Sequence, residues 1–270
     1  MKLPLINGLN HTNGCEKAPD KILDVLNKEI WANEQSVEIS DKKLEVKGLS
    51  LDNFNLEESN SKIHKSVFEC FRNSGNERVF LMGGDHAVSY ASCKAFMDFN
   101  NSLGKNSCLI VLDAHPDLME PVDLTIPTHE EWLRALIESG FPAENVLLVG
   151  LRNSDISELD FIKQNRIKTI SINQFVEDIE GTCEIIMEFA SRKELYLSVD
   201  IDIVDPAFAP ATGYCEPGGL SSRQLIYLIQ RMNKMKNLKA IDLIEINPEK
   251  DKNHNNMTVK LGAKILSELM

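Results

Sequence analysis

Short apolar runs recur along the chain, separated by longer stretches with helical spacing. The runs fall at 2–7 (KLPLIN), 36–39 (SVEI), 78–82 (RVFLM), 107–113 (SCLIVLD), 145–150 (NVLLVG), 168–172 (KTISI), 194–200 (ELYLSVD) and 239–246 (KAIDLIEI). Several are continuously apolar rather than alternating, as expected of strands covered by helices on both faces. Between them, 129–139 (HEEWLRALIES) reads as a helix, with Thr128 and Glu131 at capping-box spacing and Gly140 at the C′ position. Over 221–235, Leu225, Leu228, Ile229 and Met232 share one helical face, and a last helix is expected over about 256–269. Eight strands alternating with helices predict one α/β domain over 1–270 with a mainly parallel sheet. Sheets of this kind bind ligands at the carboxyl ends of their strands.

Ligand-type residues gather at those ends. In "LMGGDHAVS", Gly83 and Gly84 allow a tight turn and His86 follows. In "LIVLDAHPDL", Asp113, His115 and Asp117 are spaced so that extended backbone would put all three on one side. Pro116 biases His115 away from helix. In "LSVDIDIVDP", Asp200 and Asp202 share one side of the strand, about 6–7 Å apart. Asp205 falls on the other parity and reads as a turn residue or a support for its neighbours. Glu245 closes the strand "AIDLIEINP".

Singly, each has a plain structural reading: a glycine turn, a polar loop, an aspartate turn, a solvated carboxylate. Together, two histidines and four aspartates at three strand ends form a mixed nitrogen and oxygen donor set without thiolate. Such a set suits Mn²⁺ and related divalent ions better than a structural cysteine-type zinc. Two divalent cations would neutralise the four carboxylates, and a pair about 3.5–4 Å apart can activate a water for hydrolysis.

Composition narrows the partners. At 43% apolar and 26% charged, the chain is ordinary for a globular protein. A net charge of −12 argues against nucleic acid or an anionic membrane. It is compatible with a small cationic substrate, although solubility explains it equally well. Six cysteines, none in CxxC, read as reduced thiols, mostly core, of a cytoplasmic protein. No apolar run approaches the ~18 residues of a membrane span, and the N-terminal run is too short for a signal peptide. There is no GxGxxG, so a dinucleotide site is unsupported.

These motifs, "GGDHAVS", "DAHPDL", "SVDIDIVDPAFAPATGYCEPGGLS" and "EINP" in that order, resemble the ureohydrolase family of arginases, agmatinases and related guanidino-group hydrolases. The resemblance runs from about 78 to the C-terminus, and the first 75 residues are only loosely similar. It implies a three-layer α/β/α domain with an eight-stranded parallel sheet, two Mn²⁺ per subunit, and a homo-trimer or homo-hexamer. One metal would be held by His86, Asp113, Asp117 and Asp200, the other by Asp113, His115, Asp200 and Asp202, with Asp113 and Asp200 bridging. Asp117 would also orient the attacking water and accept its proton. Glu245 would pair with the guanidinium, His129 would shuttle a proton to the leaving amine, and Thr212 would contact the substrate with them. The products would be urea and an amine.

The substrate-selecting stretches depart from the family pattern. "LMEPVDLTIPTHEE" is poor for a zwitterionic head group and better for an amine on an aliphatic linker, with Glu120 or Asp123 able to meet a distal ammonium. Thr128-His129-Glu130 stands for the usual Ser-His-Gly, and Gly213-Tyr214-Cys215 for Gly-Thr-Pro, which would narrow the pocket or repack a loop. Agmatine to putrescine is the leading expectation. The alternatives are arginine, a guanidino acid or formiminoglutamate. A guanidino acid would need a basic partner, for which Arg152 is the nearby candidate. A non-catalytic metal-binding homologue would lack ligands, yet all six are present, and their two-metal content disfavours a deacetylase of related fold. His11, His64 and His254 read as surface residues.

Overall fold

The computed structural model of the protein describes residues 1–39, 44–75 and 77–270. Its strands are β1 (Lys2–Leu3), β2 (Val79–Gly83), β3 (Ser107–Leu112), β4 (Val146–Leu151), β5 (Lys168–Ser171), β6 (Glu194–Asp200) and β7 (Leu238–Ile244). Its helices are α1 (Ala18–Glu29), α2 (Leu56–Ser74), α3 (Ala87–Ser102), α4 (Trp132–Glu138), α5 (Ile156–Asn165), α6 (Ile172–Glu177), α7 (Ile179–Phe189), α8 (Ser222–Asn233), α9 (Pro248–Asp251) and α10 (Met257–Leu269). The strands form one parallel sheet in the order β1-β2-β7-β6-β3-β4-β5.

The continuous apolar runs have the expected cause, because both faces of the sheet are covered. Along β3, Leu109 and Val111 enter the core under α2, α3 and α4, while Cys108, Ile110 and Leu112 enter the core under α1, α7, α8 and α10. Alternate side chains of a strand point to opposite faces, so a strand buried on both sides needs apolar residues throughout.

Two expectations are corrected. Seven strands pair among the described residues, not eight: 36–39 makes only an isolated antiparallel bridge, Ala32 to Glu38. Ile39 is its one hydrophobic residue in the core, and Ser36 takes a positive φ of 63° that breaks strand geometry. The helix expected from 129 begins at Trp132. Residues 129–131 form a turn instead, in which the Glu131 carboxylate accepts the Thr128 N–H and the His129 N–H reaches the Asn7 carbonyl. Neither Gly83 nor Gly84 has a positive φ. A Cβ on Gly84 would lie 2.1 Å from the Leu5 carbonyl oxygen, so the glycine is needed for close approach.

The helix expected over 221–235 is α8, closed at its start by a reciprocal capping box between Ser221 and Gln224. All six cysteines are free thiols, with Cys15, Cys93, Cys108 and Cys183 buried. Among the described residues, no helix is long and apolar enough to cross a membrane.

Candidate metal centre and substrate pocket

Four neighbouring strands, β2, β7, β6 and β3, end at the same rim of the sheet and carry the candidate residues. His86 follows β2, Asp113, His115 and Asp117 follow β3, Asp200 ends β6, and Glu245 follows β7. The aspartates do not converge through strand alternation. β3 stops at Leu112, and the His115 N–H folds back onto Asp113 Oδ1 at 2.7 Å. Asp117 then takes a left-handed φ of 54°. Residues Ile201–Ile203 form a 3₁₀ turn, capped by Asp200 Oδ1 accepting the Asp202 N–H at 2.8 Å. Short side-chain-to-backbone turns, not extended chain, aim these carboxylates inward.

The convergence is tight. His86 Nδ1 lies 3.0 Å from Asp113 Oδ2, 2.9 Å from Asp117 Oδ2 and 3.3 Å from Asp200 Oδ2. His115 Nδ1 lies 2.9 Å from Asp202 Oδ2 and 3.6 Å from Asp113 Oδ1. Two donor groups result, His86-Asp113-Asp200 and Asp113-His115-Asp202, each with ligand atoms within 4.8 Å of one another. Asp113 belongs to both. Asp117 joins the first through His86, and Trp132 Nε1 donates to its Oδ2 at 2.7 Å. The indole also stacks on the His86 ring, centroids 4.6 Å apart.

The residues fit divalent cations. His86 Nδ1 and Asp113 Oδ2 are buried, and despite their proximity neither makes an aligned hydrogen bond. His86 Nε2 meets Ser198 Oγ at 3.0 Å, leaving the opposite nitrogen for a ligand. Without a cation the cluster opposes itself. Burial, then the charges of Asp202 and Asp113, push Asp200 well above the usual carboxylate range. Burial and Asp113 push Asp202 to about 6. Burial works against the Asp113 anion too, but the close His115 and His86 rings outweigh it and hold that carboxyl low. A bound cation would replace these shared protons.

Beside the cluster opens a cavity of about 220 Å³, lined by His115, Asp117, His129, Thr212, Tyr214 and Glu245 among others. Sites for drug-sized ligands run to ~300–1,000 Å³, so this one suits a small molecule. Glu245 has a strained φ of 61°, and its N–H is anchored on the Gly84 carbonyl at 2.9 Å. Its Oε1 accepts the His86 N–H at 3.1 Å and lies 3.5 Å from His129 Nδ1. Burial disfavours the His129 imidazolium, but Glu245, Asp85 and Asp117 overcome it and raise its pKa to about 9. His129 Nε2 and Thr212 Oγ1 are buried without hydrogen-bond partners.

Seven of the nine candidate residues therefore line one cavity, and His86 and Asp113 lie against Asp117 and Asp200 and against His115 in the adjoining cluster. Other candidates do not. The Arg152 guanidinium is spent on the carbonyls of Asp202, Glu216, Pro217 and Gly150. Asp123 caps Thr125, and Glu120 lies exposed near Arg134. Asp205 is a turn residue, accepting the N–H groups of Ala207 and Gly218. His64 pairs with Asp98 and His254 is exposed, but His11, though exposed, stands 5.0 Å from the Tyr214 ring at the cavity.

The sequence reading passed over Asp85, Trp132 and Ser198. Asp85 is fully buried and ties the N-terminal loop to the site, accepting the Asn7 N–H at 2.6 Å and the Thr12 hydroxyl at 2.8 Å. Burial and the Glu245 charge raise it to about 7. Its one signal was an acid wedged between two glycines and a histidine.

A family model described as Arginase family matches residues 3–270, so the likeness extends through the N-terminal part as well. Arginase 1, mitochondrial, from Oryza sativa subsp. indica is 32% identical over 192 residues, 71% of this chain and 54% of the rice protein. The chain thus spans about half the length of that relative. An arginase from Staphylococcus aureus (strain MRSA252) is 31% identical over 222 residues, 76% of this chain and 70% of that protein. Among solved structures, formimidoylglutamase from Bacillus subtilis subsp. subtilis str. 168 superposes with a TM-score of 0.90 at 19% identity, covering 99% of this chain and 84% of that one.

Proposed function

Because the chain belongs to the arginase family, we propose that it is a binuclear manganese amidinohydrolase that cleaves agmatine to urea and putrescine. The observation that carries this reading is the buried, unpartnered His86 Nδ1 facing three aspartates, beside a cavity where Glu245 and His129 meet. The same fold carries other chemistries, so the site rather than the fold must support the activity.

When bound, two divalent cations would neutralise the aspartates and acidify a water. The chain's own groups do the rest. Glu245, its backbone fixed by Gly84, receives the guanidinium through charge-assisted hydrogen bonds. Asp117, oriented by the Trp132 indole, accepts the proton of the attacking water. That water adds to the guanidinium carbon, and the C–N bond to the alkyl chain breaks. His129 is held as a cation by Glu245. As the guanidinium takes up that carboxylate's charge, the imidazolium becomes more acidic and protonates the leaving amine.

Agmatine is favoured among guanidino compounds because no lysine or arginine among the described residues lines the cavity, and Arg152 is already spent. Arginine is the second reading. The curated relatives carry that enzyme's name, and Asn153 and Ser154 are neutral polar groups at the cavity wall. Urea release by Mn²⁺-loaded protein should give the highest kcat/KM with agmatine, against arginine, 4-guanidinobutyrate and 3-guanidinopropionate. A higher value with arginine would reverse the substrate order. No urea from any of the four would sink the hydrolase.

A further inference from the structure

Two side chains at the cavity have no part in the chemistry above. Tyr214 and Glu130 both line it, and both stand where the sequence departs from the family pattern. Most acidic groups around the cavity are already engaged. Asp117, Asp200 and Asp202 belong to the metal cluster. Asp155 and Glu158 cap α5 reciprocally, and Glu158 also accepts the Leu118 N–H. Glu245 faces the guanidinium end. Glu130 is left with no lysine or arginine partner among the described residues, and its nearest cationic neighbour is His129 Nε2 at 3.8 Å.

Tyr214 completes the wall. Its ring stacks on His129 at 5.5 Å and 21°, and lies 6.1 Å from His115. Carboxylate and aromatic ring are the two groups that attract a compact ammonium. The same wall repels a carboxylate. The unpartnered, buried Thr212 Oγ1 in the same cavity adds a neutral polar contact.

We propose that Glu130 and Tyr214, in place of Glu120 or Asp123, form a distal subsite for a second positive charge on the substrate. The proposal rests on the hydrolase reading for the identity of the substrate's other end.

The test compares agmatine with 1-butylguanidine, which keeps the linker and lacks the ammonium, using full-length Mn²⁺-loaded protein. Wild type should favour agmatine by about tenfold in kcat/KM, the worth of one hydrogen bond to a charged group. Glu130→Gln and Tyr214→Leu should collapse that ratio toward one, chiefly through the KM for agmatine. Binding supplies a readout free of turnover. By calorimetry, butane-1,4-diamine should bind more tightly than butylamine, and Glu130→Gln should erase the difference. Equal binding of the two amines, or a ratio untouched by Glu130→Gln, would overturn the subsite. If no guanidine is hydrolysed while the Glu130-dependent diamine preference persists, the hydrolase reading falls and the subsite stands.

Discussion

His86 shows how much one neighbour decides. Its Nε2 meets the Ser198 hydroxyl at 3.0 Å, which leaves Nδ1 to face three aspartates. Removing that hydroxyl frees the ring to rotate and to change tautomer. Ser198→Ala should therefore weaken metal binding about 10- to 100-fold, as loss of a ligand's supporting hydrogen bond does elsewhere. A competitive chelator titration measures this; unchanged affinity would mean that Ser198 does not orient the ligand. His129 offers a second measurement. In metal-free protein its ring should titrate at about 9 by NMR, and Glu245→Gln should bring it down toward its ordinary 6.5. The folded state holds the proton more tightly than the unfolded chain. That stabilisation is complete below about 6.5 and is lost as pH rises through about 9.

The turns after the strands, more than the strands themselves, build the site, and Gly84 joins two of them. Its N–H donates to the Leu3 carbonyl and its carbonyl accepts the Glu245 N–H, so β1, β2 and the β7 end meet there. Gly84→Ala would drive a methyl group to 2.1 Å from the Leu5 carbonyl oxygen. Backbone must move, at a cost of about 1–3 kcal/mol by the usual penalty for overpacking. Urea unfolding should show that loss, and activity should fall with it because Glu245 and His86 shift together. The continuous apolar runs made the sheet legible in the sequence, since only a doubly covered strand tolerates them. The candidate cluster was legible because Asp113, His115, Asp117, Asp200 and Asp202 crowd into two short stretches. Their geometry was not. The alternation expected for extended chain named residues that do converge, but by another route, because Asp117 takes a left-handed φ and Ile201–Ile203 form a 3₁₀ turn that a strand pattern does not show. The 36–39 run misled for a related reason. β-propensity measures fit to a half-buried surface, and that segment has no neighbouring strand to supply one.

The chain folds around a cluster of buried carboxylates that a cation would offset. Asp113, Asp117, Asp200 and Asp202 are at most 7% exposed, and His86 and His115 lie within 3.6 Å of them to offset their charge. The apolar layers on both faces of the sheet must therefore hold the cluster together when metal is absent. A cation that binds the folded state alone adds stability by mass action, about 2.7 kcal/mol at a hundredfold excess over its dissociation constant. Removing metal should accordingly lower Tm, and added Mn²⁺ should restore it in a concentration-dependent way. The loss should also be local. Amide exchange should quicken at 113–117 and 200–202, where turns carry the ligands, well before it quickens in the middles of β3 and β6, which are buried and paired on both sides. Asp202→Ala removes one ligand from the second donor group while Asp200 keeps its place, so its metal content should fall and its response to added Mn²⁺ should shrink. A Tm indifferent to chelation, or full metal occupancy in Asp202→Ala, would refute the assignment of these aspartates as ligands.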